Sequence, residues 1–139
     1  MLAFGSSIAN ALQAGDVLAL RGSLGAGKTT LTRGILFGLG LKSEAPSPSF
    51  AIVQPYEPPE VRLPLAHVDL YRLEGEADLE ELGLDDYLFD GVVVIEWPER
   101  MGSRLWPHAL LLDIAFAPDD TRRLTATIPP SWKNRWPSK

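Results

Sequence analysis

The stretch LRGSLGAGKTTLTRGILFGLG, residues 20–40, sets six glycines on and just ahead of what otherwise reads as a helix. Glycine inside a helix is about 1 kcal/mol worse than alanine, so the repetition needs a reason. Residues 22–29, G-S-L-G-A-G-K-T, supply one, because they satisfy the phosphate-loop pattern G-x-x-x-x-G-K-[ST]. Glycines let a loop aim successive backbone N–H groups inward as an anion-binding nest. A helix starting near Lys28 adds its positive dipole end. Lys28 would then reach the β- and γ-phosphates, and the Thr29 hydroxyl would ligate Mg²⁺. The candidate nucleotide-binding set is Gly22, Gly25, Ala26, Gly27, Lys28, Thr29 and Thr30. Gly34 and Gly38, four apart on one helix face, need a separate explanation: close packing against the sheet, or simply a weak helix.

The context on either side agrees with this reading. DVLALRG, residues 16–22, runs Val17, Leu18, Ala19, Leu20 without polar alternation, as a strand buried on both faces does. The helix from 28 to about 39 repeats Leu31, Ile35 and Leu39 at a spacing of four. Upstream, SSIANALQAGD predicts a short helix capped by Ser6 or Ser7, with Ile8 and Leu12 on one face and Gly15 at its C-terminus. Downstream, KSEAPSPSF reads as a loop, followed by strands in FAIVQPY, LPLAHVDLY and GVVVIEW. The acidic EGEADLEELGLDDYLFD predicts one or two short helices, with Leu79 and Leu82 on one side. ALLLDIAF and RRLTATI flank APDD as an antiparallel hairpin. Interleaved strands and helices predict an α/β domain of three layers, like a P-loop NTPase, with a mixed sheet and an antiparallel C-terminal edge hairpin.

Composition narrows the class. The 139 residues suit one domain, 1–139, and no apolar run is long enough to span a membrane. Zero cysteines exclude disulfides and thiolate metal sites, and fit a cytoplasmic location. A net charge of −5 argues against autonomous binding of DNA or RNA. The basic SWKNRWPSK is expected to be a loosely ordered tail, over about 130–139.

Two acids stand at the ends of apolar strands, Asp69 after LPLAHV and Glu96 after GVVVI. The carboxyl ends of parallel strands line the ligand crevice of an α/β sheet. Thr29, Asp69 and Glu96 are therefore the candidate metal ligands. Asp69 and Glu96 are also the candidate catalytic pair, either one able to contact Mg²⁺ or to position an attacking water. His67 lies two residues before Asp69 and on the same side of the strand; it is read as a hydrogen-bonded structural histidine.

In order and spacing, GSLGAGKTT, SPSF, HVDLYRL, EELGLDDYL and VVVIEWPERM together resemble the bacterial TsaE (YjeE) family. GAGKTT is shared with many NTPases, whereas H-x-D-L-Y-R followed by E-W-P is far more specific. The resemblance implies an ATPase, using ATP and Mg²⁺, that supports TsaD and TsaB in forming threonylcarbamoyladenosine on tRNAs that read ANN codons. It implies acids at Asp69 and Glu96 around the metal and the hydrolytic water. It also implies a switch-like SPSF loop bringing Ser49 near the γ-phosphate, and Trp97 beside the site. Contact with tRNA would come only through the partners. Ser23 and Ser49 depart from the family's usual Asp and Thr; Ser49 keeps a hydroxyl, whereas Ser23 lacks the charge. The rival readings are a small-molecule kinase, which needs a lid carrying arginines, and a nucleotide-sensing module without significant hydrolysis. Arg62, Arg72, Arg100 and Arg104 are scattered and no lid-length insertion is evident.

Overall fold

Continuous apolar runs have to be buried on both faces, and the chain achieves this by putting two of them at the centre of one six-stranded sheet. The computed structural model describes residues 2–22, 27–42, 53–71, 76–116 and 122–136. Within these, helix α1 (Leu2–Ala11) leads to strand β1 (Val17–Arg21) and helix α2 (Lys28–Gly38). Strands β2 (Val53–Tyr56) and β3 (Leu65–Asp69) follow, then short helices α3 (Glu76–Glu81) and α4 (Leu84–Tyr87). Strand β4 (Val92–Glu96) runs into a kinked 3₁₀ stretch (Pro98–Arg104), then β5 (Leu110–Phe116) and β6 (Arg122–Thr127).

The sheet order is β2-β3-β4-β1-β5-β6. β3, β4, β1 and β5 are mutually parallel, while β2 and β6 join the two edges antiparallel. The expected mixed sheet and C-terminal edge hairpin are therefore present. Val17–Leu20 and Val92–Ile95 are wholly inaccessible to solvent. Pro55 is tolerated in β2 because β2 is an edge, where the missing N–H removes no ladder bond from a second neighbour.

Strand alternation sorts the apolar side chains into two cores. Leu18, Leu20, Val92 and Val94 pack beneath α1 and α2. Val17, Val93, Ile95 and Val68 face α3, α4 and the 3₁₀ stretch through Leu79, Leu84 and Met101. Three layers result: helices, sheet, helices.

Several local expectations are corrected. α1 begins at Leu2, so Ser6 and Ser7 lie inside the helix and cap nothing. Ser6 Oγ instead donates to the Gly34 carbonyl at 3.2 Å, across to α2. Gly15 lies four residues beyond the end of α1, at φ +94°, and its N–H pairs with the Gly91 carbonyl at 2.8 Å to lead into β1. The glycines of α2 pack against α1 rather than the sheet. A Cβ on Gly38 would sit 2.7 Å from Ala9 Cβ and 2.9 Å from Ser6 Cα; one on Gly5 would sit 2.6 Å from the Leu31 carbonyl oxygen. The two backbones cross closely because neither carries a side chain there.

Residues 130–136 are not a loose tail. Trp132 is completely buried in the α1–α2 core. Arg135 grips Asp16 with its two terminal nitrogens, at 2.7 and 2.9 Å, donates to the Ala11 carbonyl at 2.8 Å and lies 4.3 Å from the Trp132 ring centre. The Asp16 hydrogen bond raises the guanidinium pKa above its already high ordinary value, although burial opposes it. Trp136 meets Phe4 edge to face at 5.6 Å. A basic sequence with two tryptophans reads as a solvated tail until a buried carboxylate and an apolar slot are found to receive it. Residues 137–139 and the APDD turn at 117–120 lie outside the described residues.

Two substitutions test this packing. Trp132→Ala should lower unfolding free energy by about 3 to 5 kcal/mol in a urea titration, the range for emptying a large aromatic site. A loss below about 1 kcal/mol would make the segment a surface appendage. Gly38→Ala, a change that helix propensity alone would reward by about 1 kcal/mol, should instead lower the melting temperature, and a gain would remove the close-crossing account.

Candidate functional site

The site is built where three parallel strands end at one level. Leu20 of β1 and Asp69 of β3 both stand in register with Glu96 of β4. By alternation, Asp69 and Glu96 face the same side as Leu18, Leu20 and Val94, the side covered by α2. The loop after β1 enters α2 at Gly27, whose φ of +114° disfavours any residue with a Cβ. The Gly27 carbonyl accepts the Leu31 N–H at 2.9 Å, the first helical bond. Lys28, Thr29 and Thr30 form the first turn of α2, with both threonines half-buried.

Lys28 is 5 % exposed. Its ammonium donates to the Gly22 carbonyl at 2.6 Å and lies 4.0 Å from the centre of the Trp97 ring. Among the described residues it forms no ion pair. Trp97 in turn leans on Tyr71, ring centres 5.1 Å apart. Trp97 follows Glu96 at φ +61°, the one positive-φ non-glycine residue among those described. Such a conformation costs on the order of 1–3 kcal/mol and persists where neighbouring contacts over-determine it. Here the ring's contacts with Lys28 and Tyr71 do so.

Each acid has one oxygen engaged. Glu96 is buried, and its Oε2 lies 2.5 Å from His67 Nε2. Asp69 is half-buried, and its Oδ1 accepts the Tyr71 N–H at 2.9 Å. For both acids the second oxygen has no hydrogen-bond partner among the described residues.

Gly22, Gly27, Lys28, Thr29, Thr30, Asp69, Glu96 and Trp97 thus belong to one end of the sheet and the adjoining turn of α2. Gly25 and Ala26, Ser23, and Ser49 with its SPSF loop lie outside the described residues, as does Arg72. Arg62 and Arg104 do not converge: Arg62 donates to the Ala9 carbonyl at 2.6 Å in the α1 layer, and Arg104 pairs with Glu80 at 2.9 Å in the α3 layer.

The hydrogen-bonded histidine expected at position 67 is present, and the partner of its Nε2 is Glu96, a candidate catalytic acid that the sequence did not pair with it. Their positions carried a signal, since His67 and Asp69 share a face and Glu96 ends another strand. Arg21 and Asp113 form a two-pronged ion pair at 2.7 and 2.8 Å, across neighbouring strands in register. That hydrogen bonding, more than the Coulomb attraction, raises the Arg21 pKa. Nothing in the sequence pairs residues so far apart without the knowledge that β5 lies beside β1.

Comparison with known proteins agrees with the geometry. The family model described as "Threonylcarbamoyl adenosine biosynthesis protein TsaE" matches residues 1–124. A Streptomyces coelicolor protein named tRNA threonylcarbamoyladenosine biosynthesis protein TsaE is 44% identical over 132 residues, covering 91% of this chain and 89% of its own. A Bacillus subtilis protein of the same name is 45% identical over 114 residues, covering 81% of this chain and 70% of its own. The crystal structure of Bacillus subtilis YdiB superposes with a TM-score of 0.77 at 36% identity, over 94% of this chain and 79% of that one. With its nucleotide-loop sequence, strand-end acids and sheet order in place, this chain belongs to the TsaE family.

Proposed function

We propose that this protein is an Mg²⁺-dependent ATPase that acts in tRNA threonylcarbamoyladenosine biosynthesis, in the cytoplasm and together with TsaD and TsaB. The observation that carries the nucleotide reading is the buried Lys28 ammonium, which meets no carboxylate among the described residues. Removing a charge from water costs several kcal/mol even after relaxation. A desolvated cation–π contact returns about 2 kcal/mol, and one carbonyl hydrogen bond about 1.5 to 3 kcal/mol. The ammonium has three N–H donors and spends one on the Gly22 carbonyl, so it can still receive an anion, and the helix N-terminus beside it likewise favours negative charge. Phosphate oxygens are the group that a GAGKT loop is built to hold.

The donor set also fits Mg²⁺. This ion binds through one or two carboxylates, a hydroxyl, phosphate oxygens and water, rather than through an all-protein cage. Thr29, Asp69 and Glu96 offer such oxygens, and no cluster of three or more His, Cys, Asp or Glu occurs among the described residues. When bound, the ion would neutralise charge on the transferring phosphoryl group. The protein's own part is to hold the phosphates with Lys28 and the loop N–H groups. One carboxylate, Asp69 or Glu96, orients the attacking water while the other serves the metal. Trp97 closes over Lys28 and excludes bulk water from the phosphate end. Ser49, Gly25 and Ala26 complete the phosphate contacts in this reading.

Hydrolysis is favoured over transfer to a small acceptor because, among the described residues, Arg62 and Arg104 are engaged in opposite layers rather than gathered over the site. Participation in the tRNA pathway rests on the names of the relatives. The net charge of −5 suits a protein whose partners contact the tRNA. No helix among the described residues is long and apolar enough to cross a membrane.

Lys28→Ala should weaken ATP binding by about 100-fold or more in calorimetry, the loss expected for a buried charge-assisted contact with phosphate; unchanged affinity would remove the phosphate-loop reading. Steady-state ATP hydrolysis should be slow for the protein alone and rise strongly when TsaD and TsaB are added. Tight ATP binding without stimulation would instead favour a nucleotide-sensing module.

A further inference from the structure

The buried histidine of β3 has a chemistry that packing alone does not explain. His67 is 1% exposed and Glu96 is 4% exposed. His67 stands in register with Val94, so it reaches diagonally to the carboxylate two residues further along β4. Its Nε2 lies 2.5 Å from Glu96 Oε2. Its other ring nitrogen, Nδ1, is buried with no hydrogen-bond partner. An apolar side chain would fill the same slot between β2 and β4 without that penalty. The ring therefore has one polar task within the described structure, and that task is Glu96.

A carboxylate oxygen accepts hydrogen bonds, so the contact has the imidazole donating from Nε2–H to Glu96 Oε2. The donation ties down Oε2 and fixes the rotation of the carboxylate, leaving Oε1 without a hydrogen-bond partner among the described residues. Asp69 is handled in the same way by a different donor, the Tyr71 N–H. Carboxylates at reacting centres gain from such supporting bonds because the geometry is set before substrate arrives.

We propose that His67 is a positioning residue that orients the Glu96 carboxylate toward the bound nucleotide. The inference rests on the reading of Glu96 as a working acid of an ATPase site. Its consequence is that the length and donor capacity of residue 67, rather than its bulk, set the turnover. Glutamine can place a donor close to the position of Nε2; asparagine is too short and leucine has no donor.

The test uses the full chain and two readouts. In the nucleotide-free protein, long-range ¹H–¹⁵N spectra of the two histidines should show His67 as the Nε2–H tautomer, perturbed by Glu96→Ala. His108→Gln removes the other signal for assignment. A Nδ1–H tautomer would overturn the proposal, because Nε2 could not then donate. In the ATPase assay with TsaD and TsaB, His67→Leu and His67→Asn should lose about 10- to 100-fold in turnover, while His67→Gln keeps most of it. Nucleotide affinity measured without Mg²⁺ should stay within about twofold for all three. His67→Leu added to Glu96→Ala should cause no further loss, since the histidine acts through the glutamate. A further loss as large as in the wild-type background, or equal loss in the Gln and Leu variants, would overturn the positioning role. Should leucine prevent folding, the Asn and Gln pair carries the comparison. Unchanged turnover in Glu96→Ala alone would instead bring down the ATPase role of Glu96, and the inference with it.

Discussion

Everything at the nucleotide end of this molecule depends on the burial of β1 between β4 and β5. Four consecutive apolar residues, Val17 to Leu20, are sealed on both faces. Each buried valine or leucine contributes about 1.5–3 kcal/mol, so the strand cannot slide or tilt cheaply. Its end at Arg21 therefore sets the origin of the loop, and the register with β4 brings Glu96 to the same level as Leu20. Asp69 then follows from the pairing of β3 with β4. The backbone ladders bring the two acids to one level, and the hydrogen bonds from His67 and Tyr71 then hold their carboxylates.

The second constraint is the close crossing of α1 and α2. Gly5 and Gly38 let the helices meet where a methyl group would collide with backbone. That contact orients α2, and with it Lys28 and the threonines of its first turn. A helix that reads as weak from its glycine content is held by packing instead, as most helices in proteins are. The 130–136 segment supports the same layer from the far end through Trp132 and the Arg135–Asp16 pair. It lies beyond the residues matched by the family model, yet it fills part of the core shared with α1 and α2.

Around Lys28 the arrangement joins electrostatics to shape. Tyr71 supports Trp97, Trp97 covers the ammonium, and the backbone of Trp97 adopts a disfavoured conformation directly after Glu96. An aromatic ring can cover a cation at modest gain and yield it to a stronger anionic partner. The ring thus shields the charge from water without neutralising it, as an anion site needs.

What the sequence determined by itself is what depends on neighbouring residues. The phosphate-loop spacing, the buried character of β1 and β4, the acids at strand ends and the edge hairpin are local patterns of period, glycine and charge. Tertiary structure alone decided the pairings between distant segments. Ser6 became a helix–helix contact because α1 lies on α2, Gly38 packs on Ala9 rather than on the sheet, and Arg135 found Asp16. The His67–Glu96 and Arg21–Asp113 contacts exist because strand order sets β3 beside β4 and β5 beside β1. Strand order is chosen by the packing of whole layers, and that information is spread over the chain rather than written at any one position.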